Sequence, residues 1–313
     1  MTDGLDGWER LDPALRPVAT TRTNFSRRAV KLMREPFNDR RREAAALIDV
    51  SGLQIADHTA QAGAARVPVR VYRGGQTEQA PVAVYCHAGG FALGNLDTDH
   101  RQCVELARRG RCTVVSVDYR LSPEHPYPAA LDDATTALRW VAASATELGV
   151  DPARIAVAGS SAGATLAAGL AHGSADGTLP AVGFQLLHQP VLDDRETPSK
   201  AEFRSSPAFD SEAAELMWRH YLGPDTGSAA AVPARRDRLA GLPTTLITCA
   251  EIDPFRDEAV DHALRLLRAG VSTELHVFAR TCHGFDSLLP EWSASQRLFE
   301  LQGEALSHMW DDT

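Results

Sequence analysis

Residues 159–163 read Gly-Ser-Ser-Ala-Gly, and they stand between two segments of opposite character. Before them, residues 154–158 (Arg-Ile-Ala-Val-Ala) are a short apolar run of the kind that forms a buried strand. After them, residues 164–171 are rich in alanine and leucine, strong helix formers. A strand that turns at once into a helix through a Gly-x-Ser-x-Gly pentapeptide is the pattern of a nucleophile elbow. The flanking glycines leave room for a tight, strained turn that pushes Ser161 Oγ out of the sheet. The helix then aims its free N–H groups and the positive end of its dipole at the same spot.

Further apolar runs surround this one. Strands are expected near 67–72, 82–86, 113–118, 155–158, 183–188, 244–249 and 273–278, and an earlier one within 51–59 would complete a set of eight. Helical patterns lie between most of them. That alternation predicts an α/β fold: a mostly parallel eight-stranded sheet with an antiparallel edge and helices on both faces. The sequence shows no internal repeat and no low-complexity tract, and 223–234 reads as a soft linker.

The strand at 82–86 runs into His87-Ala88-Gly89-Gly90-Phe91. Acyl transfer passes through an oxyanion that needs pre-aimed donors, each worth roughly 3–4 kcal/mol. A glycine-rich loop offers such donors from bare backbone, and the N–H of Ala162 would add another. A serine hydroxyl also needs a histidine to take its proton and a carboxylate to fix that histidine's tautomer. Asp253 follows a strand and precedes a proline, which fits a loop. Asp257 falls in the helical run 256–267, and Glu251 stands nearer the strand, so both are poorer candidates. Four histidines follow Asp253. His262, His276 and His308 fall in helix, strand and helix, whereas His283 occupies a loop after a strand. His87 is expected to orient the glycine-rich loop. Residues 114–128, with their charged turn and prolines, are expected to support the site from behind.

Five segments stand in one order: His87-Ala88-Gly89-Gly90, Tyr119-Arg120-Leu121-Ser122-Pro123-Glu124-His125, the pentapeptide around Ser161, Asp253-Pro254-Phe255-Arg256-Asp257, and His283-Gly284-Phe285. In these the chain resembles the hormone-sensitive-lipase-like branch of the α/β-hydrolases, especially its bacterial carboxylesterases. It departs from the branch at Ala88 and Ser160, where a glycine and an acidic residue are usual, and neither change removes a catalytic group. The resemblance implies an α/β-hydrolase fold with a helical cap. It also implies a catalytic triad of Ser161, Asp253 and His283 and an oxyanion hole of Gly89, Gly90 and Ala162. The implied activity is a serine carboxylesterase acting on short- to medium-chain acyl esters. An amide, lactone or carbamate hydrolase with the same triad is the alternative, since fold and triad host many leaving groups. A non-catalytic receptor on this scaffold disagrees with the presence of all three triad residues.

Two segments lie outside the strand–helix alternation. The resemblance implies that 1–60 and 193–232 pack together as the cap, over a core of 61–192 and 233–313. Phe37, Phe209, Met217 and Trp218 would then line the substrate pocket. The basic run 24–42 reads as the solvated face of a helix. A net charge of −9 argues against nucleic acid as a partner. No apolar run approaches the ~20 residues needed to span a membrane, and residues 1–6 lack the features of a signal peptide. Five cysteines without a C-x-x-C pair suggest reduced thiols and a cytoplasmic protein; Cys282, beside His283, would expose the site to thiol reagents. No cofactor and no metal are implied, the expected partner is a small-molecule ester, and a homodimer rests on analogy alone.

Overall fold

The computed structural model describes residues 6–74, 79–224 and 228–311. Its sheet has eight strands: β1 (Leu53–Ala62), β2 (Ala65–Gly74), β3 (Ala80–Cys86), β4 (Thr113–Val117), β5 (Val150–Ser160), β6 (Phe184–His188), β7 (Thr244–Ile252) and β8 (Thr273–Cys282). They lie in the order β1-β2-β4-β3-β5-β6-β7-β8. The hairpin of β1 and β2 and the β2–β4 pair are antiparallel, and every other pair is parallel. The all-buried composition of β3 and β4, Ala-Pro-Val-Ala-Val-Tyr-Cys and Thr-Val-Val-Ser-Val, suits strands covered on both faces.

The helices are α1 (Arg27–Ala45), α2 (His100–Arg109), α3 (Ala129–Ala143), α4 (Ala145–Leu148), α5 (Ala162–Ala175), α6 (Pro198–Glu202), α7 (Ser211–Leu222), α8 (Arg256–Arg268), α9 (Phe285–Leu288) and α10 (Ser293–Asp311). Strand side chains alternate between two cores, as a pleated sheet requires. Val82, Val84 and Cys86 of β3 belong to the core on the side of α3 and α5, whereas Ala83 and Tyr85 belong to the core that holds residues of α2 and α10. The strands lead to the candidate site at their C-terminal ends, where ligands of open α/β sheets usually bind. Residues 87–90 follow β3, Ser161 follows β5, Asp253 follows β7 and His283 follows β8.

Two segments reach over that edge and touch each other. Arg22 pairs with Asp210 at 2.5 Å, Thr23 Oγ1 donates to the Ala208 carbonyl at 2.5 Å, and the Phe25 and Phe209 rings meet edge to face at 5.3 Å. The division of the chain at residue 60 needs correction. Residues 53–60 form most of β1, because ten consecutive pairs with β2 draw them into the sheet. Residues 1–5, and 225–227 of the expected linker, lie outside the described residues.

Candidate active site

The turn after β5 is as sharp as the pentapeptide requires. Ser161 has φ 55° and ψ −119°, a strained conformation for a residue with a side chain. Its N–H donates to the His188 carbonyl at 2.8 Å, which ties the turn to the neighbouring β6. The first turn of α5 also presses on β3. A Cβ on Gly163 would lie 2.0 Å from the Cys86 carbonyl oxygen, so only glycine fits.

His283 Nε2 lies 3.0 Å from Ser161 Oγ, and His283 Nδ1 lies 2.8 Å from Asp253 Oδ2. Asp253 is fully buried, and its Oδ1 accepts the Phe255 N–H at 2.9 Å. An acceptor-only carboxylate at Nδ1 assigns the imidazole proton to that nitrogen and leaves Nε2 free to accept from the serine hydroxyl. Phe209 and Phe255 flank the imidazole, with centroids 5.6 Å and 5.3 Å away.

The other acids and histidines are engaged elsewhere. Asp257 accepts from Arg256 at 2.7 Å, and Glu251 pairs with Arg10 at 2.8 Å. His276 lies 2.6 Å from Glu274, and His262 is buried within α8. Cys282 is fully buried, and burial pushes its thiol up to about 12, so the expected reactivity toward thiol reagents is corrected.

The loop after β3 turns through Gly89 at φ 127° and Gly90 at φ 60°. A Cβ at Gly89 would lie 2.1 Å from the Leu93 carbonyl oxygen. The N–H groups of Gly89, Gly90 and Ala162 donate to no acceptor among the described residues. His87 Nδ1 lies 2.7 Å from the Ala88 carbonyl, and its ring stacks on Tyr119 at 4.2 Å. Burial pulls the His87 imidazole below its usual range, against the raising effect of the Ala88 carbonyl, so the ring is a neutral hydrogen-bonding prop. The segment after β4 supports the loop from behind. Tyr119 donates to the His87 carbonyl at 2.7 Å, and Arg120 grips Asp133 through both Nε and Nη2.

A cavity of about 200 Å³ opens onto Ser161 and His283, with Phe25, Phe37, Leu93 and Phe209 among its apolar walls. Phe37 and Phe209 therefore stand where a pocket residue would. Met217 and Trp218 do not line it. Both are buried in the main core, where Trp218 packs on Phe91 at 5.9 Å and on Tyr221 at 5.9 Å. The apolar face of α7 is spent on holding that helix down, which leaves the preceding loop, with Phe209, to face the site.

Residues 83–287 match the family model described as the alpha/beta hydrolase fold, nearly two thirds of the chain. The chain belongs to the α/β-hydrolase fold family. Within it the chain falls in the hormone-sensitive-lipase-like branch of bacterial carboxylesterases. Among the relatives of this α/β-hydrolase, esterase LipI of Mycobacterium tuberculosis is 44% identical over 211 residues, 66% of each chain, so the match spans just under two thirds of that relative. Carboxylesterase NlhH of the same organism is 42% identical over 230 residues, 71% of this chain and 72% of the relative. The crystal structure of esterase LipW from Mycobacterium marinum is 66% identical, covers 98% of both chains and superposes with a TM-score of 0.96.

Three residues of this α/β-hydrolase's site carry no signal in its sequence. Asp99, at the start of α2, accepts the Ala88 N–H at 2.8 Å and the Tyr85 hydroxyl at 2.9 Å through one oxygen, fixing the glycine loop to the sheet. Gln189 Oε1 accepts the Gly284 N–H at 2.5 Å, which anchors the backbone beside His283. Behind it, Asp286 is held by Gln102 at 2.5 Å and His188 at 3.1 Å. Burial raises the Asp286 pKa, but His188 and Gln102 outweigh it and hold the carboxyl below its usual range. Among the described residues, no group of three His, Cys, Asp or Glu side chains could hold a metal ion, and no helix is long and apolar enough to cross a membrane.

Proposed function

We propose that this α/β-hydrolase is a serine carboxylesterase in which Ser161 is the nucleophile. The observation that carries the reading is the unbroken relay from Ser161 through His283 to Asp253, at 3.0 Å and 2.8 Å. His283 takes the serine proton, and Asp253 holds the imidazole in the tautomer that can do so. Ser161 Oγ attacks the ester carbonyl, and the Gly89, Gly90 and Ala162 N–H groups receive the oxyanion. His283 returns its proton to the leaving alcohol. Water, deprotonated by the same imidazole, then hydrolyses the acyl-enzyme.

Carboxylic ester hydrolysis follows from the family and from relatives that bear the names esterase and carboxylesterase. A short or medium acyl chain suits a cavity of about 200 Å³, smaller than the roughly 300–1,000 Å³ typical of drug-sized ligand sites. The contacts between 22–25 and 208–210 support a cap formed by the N-terminal segment and the segment around α6 and α7. Five free, buried cysteines fit a cytoplasmic setting. A homodimer would find an unpaired edge at β8, where Val277 is exposed.

The test is hydrolysis of p-nitrophenyl esters from acetate to palmitate by wild type and Ser161→Ala. We expect turnover to peak at short or medium chains and to fall by about 10⁴-fold or more in the variant, because triad residues act as a unit. Near-normal turnover in Ser161→Ala would sink the reading.

A further inference from the structure

Part of the cavity wall is polar. Arg41, Thr98, Asp286 and Ser287 line both this cavity and an adjoining one of about 200 Å³, so they form the partition between the two. Arg41 belongs to the basic run on α1, in which two other arginines are already committed. Arg34 is tied to Glu124 at 2.6 Å and to the Ala92 carbonyl at 2.8 Å, and Arg42 pairs with Asp39 at 2.5 Å. Arg41 is half-buried and has neither an ion pair nor a hydrogen bond among the described residues. Its guanidinium is steadied over the Phe37 ring, 5.1 Å from the centroid.

The carboxylates around the partition already have donors. Asp97 is held by Arg70 at 2.6 Å, Asp99 by Ala88 and Tyr85, and Asp286 by Gln102 and His188. Arg101, the other arginine of the adjoining cavity, pairs with Glu291 at 2.7 Å. Arg41 therefore presents an uncommitted fork of N–H donors to the space that opens on Ser161 and His283. Such a planar fork matches a carboxylate through two parallel hydrogen bonds. A chain with a net charge of −9 has no general attraction for anions, so a local cation is the feature that could select one.

We propose that Arg41 recognises a carboxylate on the substrate, so that the enzyme favours esters bearing a free acid, such as half-esters of dicarboxylic acids, over neutral esters of the same size. The proposal rests on the carboxylesterase reading and adds the class of ester. The carboxylate could sit on the acyl or on the alcohol side, and the probes separate the two. Mono-p-nitrophenyl glutarate, with the acid on the acyl side, is compared with p-nitrophenyl butyrate. 4-Acetoxybenzoate, with the acid on the alcohol side, is compared with phenyl acetate.

Wild type, Arg41→Gln and Arg41→Lys are assayed for kcat and KM on all four. In Arg41→Gln, one anionic-to-neutral ratio of kcat/KM should fall by about 10- to 100-fold, mainly through KM, as expected for loss of a bidentate charge-assisted contact. Arg41→Lys should recover part of the loss. The ratio that falls identifies the side of the ester that carries the acid. Both ratios staying within about 3-fold of wild type overturns the proposal and leaves the esterase reading intact. A wild type inactive on all four esters overturns the esterase reading, and the proposal with it.

Discussion

Asp99 does for the loop proposed to receive the oxyanion what no glycine can do for itself. Glycines let the loop approach a reacting carbonyl, but they supply nothing to hold it there. One carboxylate oxygen of Asp99, accepting from Ala88 and Tyr85, fastens the loop to the end of β3. Asp99→Ala leaves the buried Tyr85 hydroxyl unmet, at about 1–3 kcal/mol, and frees the part-buried Ala88 N–H. We expect it to lower kcat on p-nitrophenyl butyrate by about 10- to 100-fold with a smaller effect on KM, because the loop is needed most in the transition state. Asp99→Asn keeps an acceptor oxygen and should retain most of the rate. A rate equally depressed in both variants would show that charge, and not acceptance, is what Asp99 provides. At this scale the sequence is legible wherever a residue's role is set by its immediate neighbours. Ser161 sits between a strand and a helix, Asp253 before a proline, and His283 in a loop after a strand. Asp99 and Gln189 act across the fold, on a backbone N–H 11 and 95 residues away, and nothing beside them in the chain points to it.

Helix α7 separates packing from pocket more sharply than its composition suggests. Asp210 caps its first turn by accepting the Ala213 N–H at 2.9 Å, and Met217, Trp218 and Tyr221 turn inward onto Phe91 and the main core. Phe209, just before the cap, meets Phe25, Phe255 and His283 instead. An aromatic residue near a site is readable from sequence, but its direction depends on which face the helix buries. Trp218→Ala should therefore cost about 3–5 kcal/mol of stability through the cavity it leaves, while the acyl-length profile keeps its peak. Phe209→Ala should shift that peak to longer esters with a smaller loss of melting temperature. Denaturant unfolding and the p-nitrophenyl ester series, run on both variants, check the pair. A shifted peak in Trp218→Ala would return Trp218 to the pocket. The strands were easier to read than this helix. Their apolar runs are short and bounded, so β4 and β6 fall within a residue of expectation and β3 starts two residues early. β5 begins earlier and β8 ends later than their apolar stretches, because β5 gains a pair between Ala80 and Val150 and β8 one between Ile252 and Cys282.

At the scale of the whole molecule, the helices that close one face of the sheet make the fold acid-sensitive. His172 on α5 and His262 on α8 are both buried, and burial pulls their pKa values down to about 4 and about 3. The field of His172 adds to the effect at His262, and neither ring nitrogen of His262 has a hydrogen-bond partner among the described residues. Unfolding releases both imidazoles to water, where they titrate near pH 6.5. Below that pH the unfolded chain binds protons that the native one refuses, so stability falls as pH falls. The loss begins near pH 6.5 and continues until the native rings themselves protonate, near pH 4 for His172 and near pH 3 for His262. Each histidine contributes at most about 1.4 kcal/mol per pH unit in that window. His262→Leu should flatten the acid limb of a plot of unfolding free energy against pH by about the share of one histidine, because leucine fills similar space without a group to charge. Urea unfolding between pH 7.5 and 4.5 measures this, and parallel limbs for wild type and variant would show that carboxylates alone set the acid limit.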